Sequence, residues 1–214
     1  MASTSSGNPA RAARADIARE MARAFELSED RTHKREAITI YQQVVRRDPR
    51  NAVALGNIGV QYYDLAEYDA AIEYLSKAIT FAPQDPDNYL VLGRAYYGKR
   101  TFAEAKRALL KAKELGSKSI QIERMLGGIA FDAGDFSGSK ALWETALRQN
   151  GEDEEAYFYL GRIAYQAKDN PLAIQHLEKA VALAPELAHF HSWLANVYLD
   201  SNRLEDARRA FKQA

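Results

Sequence analysis

Two stretches decide how this chain folds: LVLGRAYYGKR at residues 90–100 and FYLGRIAYQAK at residues 158–168, one phrase stated twice, 68 positions apart. Midway between them stands RMLGGIAFDAG (124–134), again with Leu-Gly, and NIGVQYYDLAE (57–67) precedes both. The true period is therefore 34, running through Gly59, Gly93, Gly127 and Gly161, with Ala195 next. A second small-residue series lies 12 positions later at Ala71, Ala105, Ser139, Ala173 and Ala207, and a third at Ala78, Ala112, Ala146, Ala180 and Ala214. Between these two series stand Leu75, Leu109, Trp143, Leu177 and Phe211. Each period thus holds two stretches with apolar residues at helical spacing, separated by a short polar turn. No stretch alternates with period two long enough to make a strand, so an all-α chain is expected.

The pattern resembles the tetratricopeptide repeat (TPR) family, whose first helix carries Leu-Gly and then Tyr, and whose second carries Ala, a bulky apolar residue, Ala and Pro. The unit 52–85 supplies Leu55, Ile58, Gly59, Tyr62, Ala71, Leu75, Ala78 and Pro83 at those places. The resemblance implies a right-handed superhelical α-solenoid of helix-turn-helix repeats. Five repeats are expected, at 52–85, 86–119, 120–153, 154–187 and 188–214, the last incomplete. Ahead of them, REAITIYQQVVRRDP (35–49) offers Ala37, Tyr41, Val44 and Pro49 as one more second helix. Residues 16–51 are expected to form a degenerate hairpin, its first helix within 16–26, after a disordered tail over 1–15.

The small residues have a packing rationale. Where two helices cross closely, a side chain beyond a methyl would push the backbones apart. By family analogy Gly59 and Ala71 meet at such a crossing, with Leu75 or Trp143 filling the wedge beside it. Helices of about a dozen residues are not stable alone, so order must come from stacking hairpin on hairpin. Asn170 before Pro171 is expected to cap a second helix. Pro49, Pro83 and Pro185 end theirs, whereas Ser117 and Gly151 stand where proline is expected, Gly116 supplying a left-handed cap.

Composition limits the chemistry. Lys+Arg and Asp+Glu balance at 29 each, the hydrophobic fraction is 47% and there is no cysteine. The chain is expected to fold as a soluble, cytoplasmic protein with no disulfide, no thiolate nucleophile and no membrane insertion. No phosphate-binding loop, nucleophile elbow or HExxH site is present, so no enzyme activity, cofactor or metal is expected. His189 and His191 lie about 200° apart round a helix and cannot share an ion unaided. Nucleic acid is not an expected partner: there is no basic stripe, and the lining series Gly56, Leu90, Arg124, Phe158 and Ser192 is no base-reading code.

The family resemblance places the first helices on a concave, ligand-binding face. In that frame Tyr63, Tyr97, Phe131 and Tyr165 form an aromatic ladder closed by Leu199, with Arg94, Arg124 and Arg162 between the rungs. Phe158, Tyr159 and Trp193 add aromatic surface. These residues suit a protein or peptide segment bearing an acidic or C-terminal carboxylate group. Two readings compete for the arginines: ligand contacts, or surface ion pairs with Asp64, Asp87, Asp132, Glu155 and Asp200 on the same face. Gly128 invites a similar choice, between a recess beside Phe131 and tolerance of a weak helix. The Lys-Asn clamp for chaperone tails is absent, since Gly56, Val60, Leu90 and Arg94 occupy its positions. The expected function is a non-catalytic scaffold or adaptor, with two rivals: a recruiting arm of a larger multidomain enzyme, and a structural protein that self-associates through an uncapped C-terminal end. The position of Ala214, partway along a second helix, is read as a fragment's edge or a bare end that meets another chain.

Overall fold

The computed structural model describes residues 9–214, and among them are twelve helices and no strand. In chain order these are α1 (Pro9–Ser28), α2 (Lys34–Arg47), α3 (Ala52–Asp64), α4 (Tyr68–Phe81), α5 (Pro86–Gly98), α6 (Phe102–Glu114), α7 (Ile120–Asp132), α8 (Phe136–Gln149), α9 (Glu154–Gln166), α10 (Asn170–Leu183), α11 (Ala188–Asp200) and α12 (Leu204–Phe211). Of the tail expected over 1–15, residues 1–8 lie outside the described residues. The first helix begins at Pro9, ahead of the boundary expected at Asp16. Its Ala- and Arg-rich sequence has high helix propensity throughout, and Pro is well tolerated at a helix start.

The chain divides into two compact units, one ending at Ser117 and the other beginning at Lys118. In the first, α1–α2, α3–α4 and α5–α6 are antiparallel hairpins, each packed on the next; in the second, α7–α8, α9–α10 and α11–α12 repeat the arrangement. The periodic apolar residues of each unit are buried in successive clusters. Ala37, Ile38, Tyr41 and Val44 pack with Ala54 and Ile58 in the first unit, and Ala173, Leu177, Phe190 and Leu194 pack together in the second.

The glycine series is explained by geometry. A Cβ added at Gly59 would stand 2.5 Å from Leu75 Cγ and 3.3 Å from the Ala71 carbonyl oxygen. At Gly93 and Gly161 the obstacle is Leu109 or Leu177 Cγ at 2.7 Å, and at Gly127 it is Trp143 Nε1 at 2.7 Å. The helix-interior cost of about 1 kcal/mol per glycine is thus offset by a close crossing that no larger residue permits. Where Ser139 replaces alanine, its buried Oγ donates to the Gly127 carbonyl oxygen at 2.8 Å, so the crossing carries a satisfied polar group.

Turns recur with the same period. Ala66, Arg100, Gly134, Lys168 and Asn202 all adopt the left-handed region, with φ between 55° and 79°. Each ends a first helix; at the first turn Ala66 N–H donates to the Tyr63 carbonyl and Glu67 N–H to the Tyr62 carbonyl, both at 2.9 Å. These bonds satisfy carbonyls that the helix end would leave unpaired. Two second helices, α8 and α10, start on an aspartate whose side chain caps them, Asp135 and Asp169. The expectation of Asn170 as a cap is corrected: α10 already includes Asn170, and Asp169 accepts from Leu172 N–H at 3.1 Å. An ionised carboxylate suits the positive end of the helix dipole better than an amide does. Pro49, Pro83 and Pro185 follow the ends of α2, α4 and α10, and Gly116 at φ 96° ends α6 as expected.

Candidate functional site

The richest cluster of the expected site residues surrounds Arg162, in the second unit. There the first helices α7, α9 and α11 lie side by side. Helical spacing puts Phe158 one turn before Arg162 on α9, while Phe131 near the end of α7 and Trp193 on α11 flank it. The guanidinium carbon lies 4.2 Å from the Phe131 ring centre, 4.7 Å from Trp193, 5.2 Å from Tyr159 and 5.4 Å from Phe158. Its Nε is buried and makes no hydrogen bond within the protein. Burial lowers the Arg162 pKa, opposed by Tyr159 and Asp132. A planar, weakly hydrated cation is the basic side chain best able to occupy such a ring-lined place.

The rings differ in what they offer a partner. Phe131 and Phe158 are 8% and 5% exposed, so they are walls of the core rather than contact surface. Phe158 stacks on Phe190 with ring centres 4.5 Å apart, and Phe131 meets Phe136 edge-on at 5.3 Å. Tyr159, half-buried, stacks on the fully buried Trp143 at 4.5 Å and 9°. Trp193 and Tyr165 are half-buried and meet edge-on at 6.1 Å. Tyr165 O–H donates to the Asp200 carboxylate, and that bond raises the phenol pKa.

Two expectations change here. Arg124 is engaged within the chain: its Nε donates to Asp153 Oδ2 at 2.8 Å, with Glu155 at 4.0 Å. Asp153 is fully buried and also caps α9 by accepting from Ala156 N–H at 3.0 Å, so Arg124 ties α7 to the start of α9. Of the two readings for this arginine, the ion pair is the one realised, because a buried carboxylate demands a partner. Gly128 does not open a recess onto Phe131. Gly128 is itself buried, Phe131 is only 8% exposed, and the Arg162 guanidinium carbon stands 4.2 Å from that ring's centre.

The first unit holds a sparer version. Arg94, at the register of Arg162 two repeats earlier, lies 4.4 Å from the Tyr63 ring centre, and its buried Nε likewise makes no hydrogen bond within the protein. Tyr63 tilts against Tyr68 at 6.0 Å, and Tyr97 meets Phe102 edge-on at 5.5 Å. In both units an arginine covers the ladder ring 31 positions before it in sequence. Sequence reasoning found both partners but not the stacking, which depends on how adjacent first helices are spaced.

Among the described residues no group of His, Asp or Glu could hold a metal ion. His191 lies with Nε2 2.9 Å from the Pro185 carbonyl oxygen, and His189 packs on Phe158 and Phe190. No helix among the described residues is long and apolar enough to cross a membrane.

Comparison with known proteins identifies the architecture. Three family profiles, each described as tetratricopeptide repeat, match residues 52–85, 124–188 and 164–214. Among curated proteins, the BBSome complex member BBS4 of Bos taurus is 24% identical over 181 residues, covering 83% of this chain and 34% of its own. The anaphase-promoting complex subunit CDC16 of Saccharomyces cerevisiae is 25% identical over 168 residues, 75% of this chain and 20% of its own. The chain thus spans about a third, or less, of the curated relatives it matches. Among solved structures, YrrB, described as a TPR protein with an unusual peptide-binding site, superposes with a TM-score of 0.67 at 18% identity, covering 81% of this chain and 89% of that one. MamA from Desulfovibrio magneticus RS-1 gives 0.69 at 19% identity, covering 76% and 92%. With the period, the glycine crossings and the hairpin stacking all in agreement, the chain belongs to the tetratricopeptide repeat family.

Proposed function

We propose that this protein is a non-catalytic scaffold that binds a segment of a partner protein along its first-helix face. In the second unit Arg162 would recognise an acidic or C-terminal carboxylate group, with Trp193 and Tyr165 contributing contact area; in the first unit Arg94 would do the same, with Tyr63 and Tyr97. The observation that carries the reading is the half-buried Arg162 guanidinium, whose carbon stands 4.2–5.4 Å from four ring centres. A cation so confined loses little further rotamer freedom when a carboxylate docks on it. Phe131 and Phe158 act as its walls, and the Arg124–Asp153 pair ties α7 to the start of α9. BBS4 and CDC16 carry names that make them members of multiprotein complexes, and YrrB is described by a peptide-binding site, which supports the same class of role.

The test compares proteins captured from lysate by wild type and by the Arg94→Ala/Arg162→Ala double variant. Loss of the captured partners is expected; an unchanged set contradicts the assignment. A second reading, a recruiting arm within a longer protein, draws support from relatives that carry this similarity over a third or less of their length.

A further inference from the structure

On α9 the residue two positions past Arg162 points to the opposite side of the helix, where α9 floors a groove between the second helices α8 and α10. An open hollow of about 500 Å³ lies there, its apolar walls formed by Leu147, Leu160, Ile163, Ala164 and Leu172. Lys140, Glu144, Asp169 and His176 supply its polar lining. A volume of this order is typical of a ligand site.

The repeat provides its own template for what fills such a groove. The register of Ala164 reads Tyr62, Tyr96, Ala130, Ala164 and Tyr198 along the chain. At Tyr198 the ring is buried, and its O–H donates to Glu178 Oε1 at 2.5 Å, on the preceding second helix. At Tyr62 the hydroxyl oxygen accepts from Gln42 Nε2 at 3.5 Å, and Gln42 occupies the register of Glu178. One repeat before Tyr198 the chain keeps the acceptor and drops the ring: Glu144 stands at the register of Glu178, and Ala164 at that of Tyr198. Glu144 has Lys140 Nζ at 3.9 Å, beyond a good hydrogen bond, so its carboxylate remains open to a donor.

We propose that this hollow is a receptor for a tyrosine side chain presented by a partner protein, the ring resting on Leu160, Ile163 and Leu172 and the phenol donating to Glu144. The chain's own Tyr198 shows the fit of that ring and that acceptor in the next groove. The site lies across α9 from Arg162 and does not rest on the binding role proposed for the first-helix face.

Two probes test it on the full chain. p-Cresol, the tyrosine side chain alone, is titrated while NMR follows the methyl groups of Leu160, Ile163 and Leu172 and the His176 ring. Saturable shifts are expected, at least three-fold weaker for toluene; Glu144→Ala should bring cresol down to the toluene level. Ala164→Tyr should abolish the shifts, and Ala164→Leu, a smaller filling, should weaken them. Cresol that leaves these signals unmoved, or moves them equally in Ala164→Tyr and Ala164→Leu, overturns the proposal. In parallel, a displayed random-peptide library is selected on wild type and depleted on Ala164→Tyr. Enrichment of tyrosine at one fixed position, with binding lost at least ten-fold on Tyr→Ala in the peptide, supports the partner-protein source. Cresol binding without any enriched tyrosine contradicts it.

Discussion

Arg94 and Arg162 occupy the same place in their repeats yet live in different surroundings. Arg162 is packed among Phe131, Phe158, Tyr159 and Trp193, while Arg94 rests on Tyr63. The positions corresponding to Phe158 and Tyr159 beside Arg94 are Leu90 and Val91. The repeat therefore fixes where the cation stands, and the residues around it decide how firmly it is held. A guanidinium over one ring keeps more rotamer freedom; one boxed by four has already lost that entropy and offers a rigid surface.

The largest test of this contrast removes the walls. Phe158→Ala deletes a buried ring that supports both Arg162 and the Phe190 core, and should cost about 3–5 kcal/mol of stability by denaturant unfolding. Leu90→Ala, its half-buried counterpart, should cost about 1–2 kcal/mol. Equal losses would mean that the four-ring cluster contributes no more than ordinary apolar contact.

Next come the cations themselves. Arg162→Ala should destabilise by about 2 kcal/mol and Arg94→Ala by about 0.5–1 kcal/mol, from lost stacking and uncovered rings. Hydrogen exchange of α9 and α5 amides would localise each effect. Arg162→Lys should recover little, because an ammonium lacks the planar face.

The turns give a smaller effect of defined sign. Lys168→Gly, at φ 64°, should stabilise by about 0.5–1 kcal/mol, since glycine enters the left-handed region without the Cβ penalty. Gly134→Ala, at the same register with φ 79°, should destabilise by about 1 kcal/mol. Thermal melts of the two variants read the pair.

The smallest effect comes with acid. Burial, with Lys140 nearby, holds the His176 imidazole below its usual 6.5. The unfolded chain then takes up a proton near pH 6.5 that the folded chain refuses, so His176 subtracts stability as pH falls through that value. The difference in melting temperature between pH 7.5 and pH 5.5 should shrink in His176→Gln; an unaltered slope would assign the acid sensitivity elsewhere.

How much was legible beforehand follows from what a period can encode. The 34-residue repeat located the helices from α3 onward, the glycine crossings and the proline stops, because these depend on backbone approach repeated in every unit. Arg124 was ambiguous in sequence, since its partner Asp153 lies 29 positions away and its burial emerges only when α7 meets α9. Phe131 and Phe158 stand in a lining series yet are buried, because Arg162 and Phe190 close over them. Asn170 lost the cap to its acidic neighbour. The left-handed turns at Ala66, Arg100, Lys168 and Asn202 left no glycine to betray them. Ala164 was visible as one more alanine; only the tyrosines at its register in other repeats give it meaning.

The central functional claim is that the ring-held Arg162 recognises a carboxylate. Its most direct measurement is binding of wild type and Arg162→Ala to an array of peptides presented with free C-terminal carboxylates and, in parallel, as C-terminal amides, with acidic and neutral side chains in each set. The account predicts that the best-bound peptides bear a carboxylate at one fixed place, and that both its removal and Arg162→Ala weaken them at least ten-fold. Peptides bound equally well by the variant, or with no carboxylate preference, would contradict it.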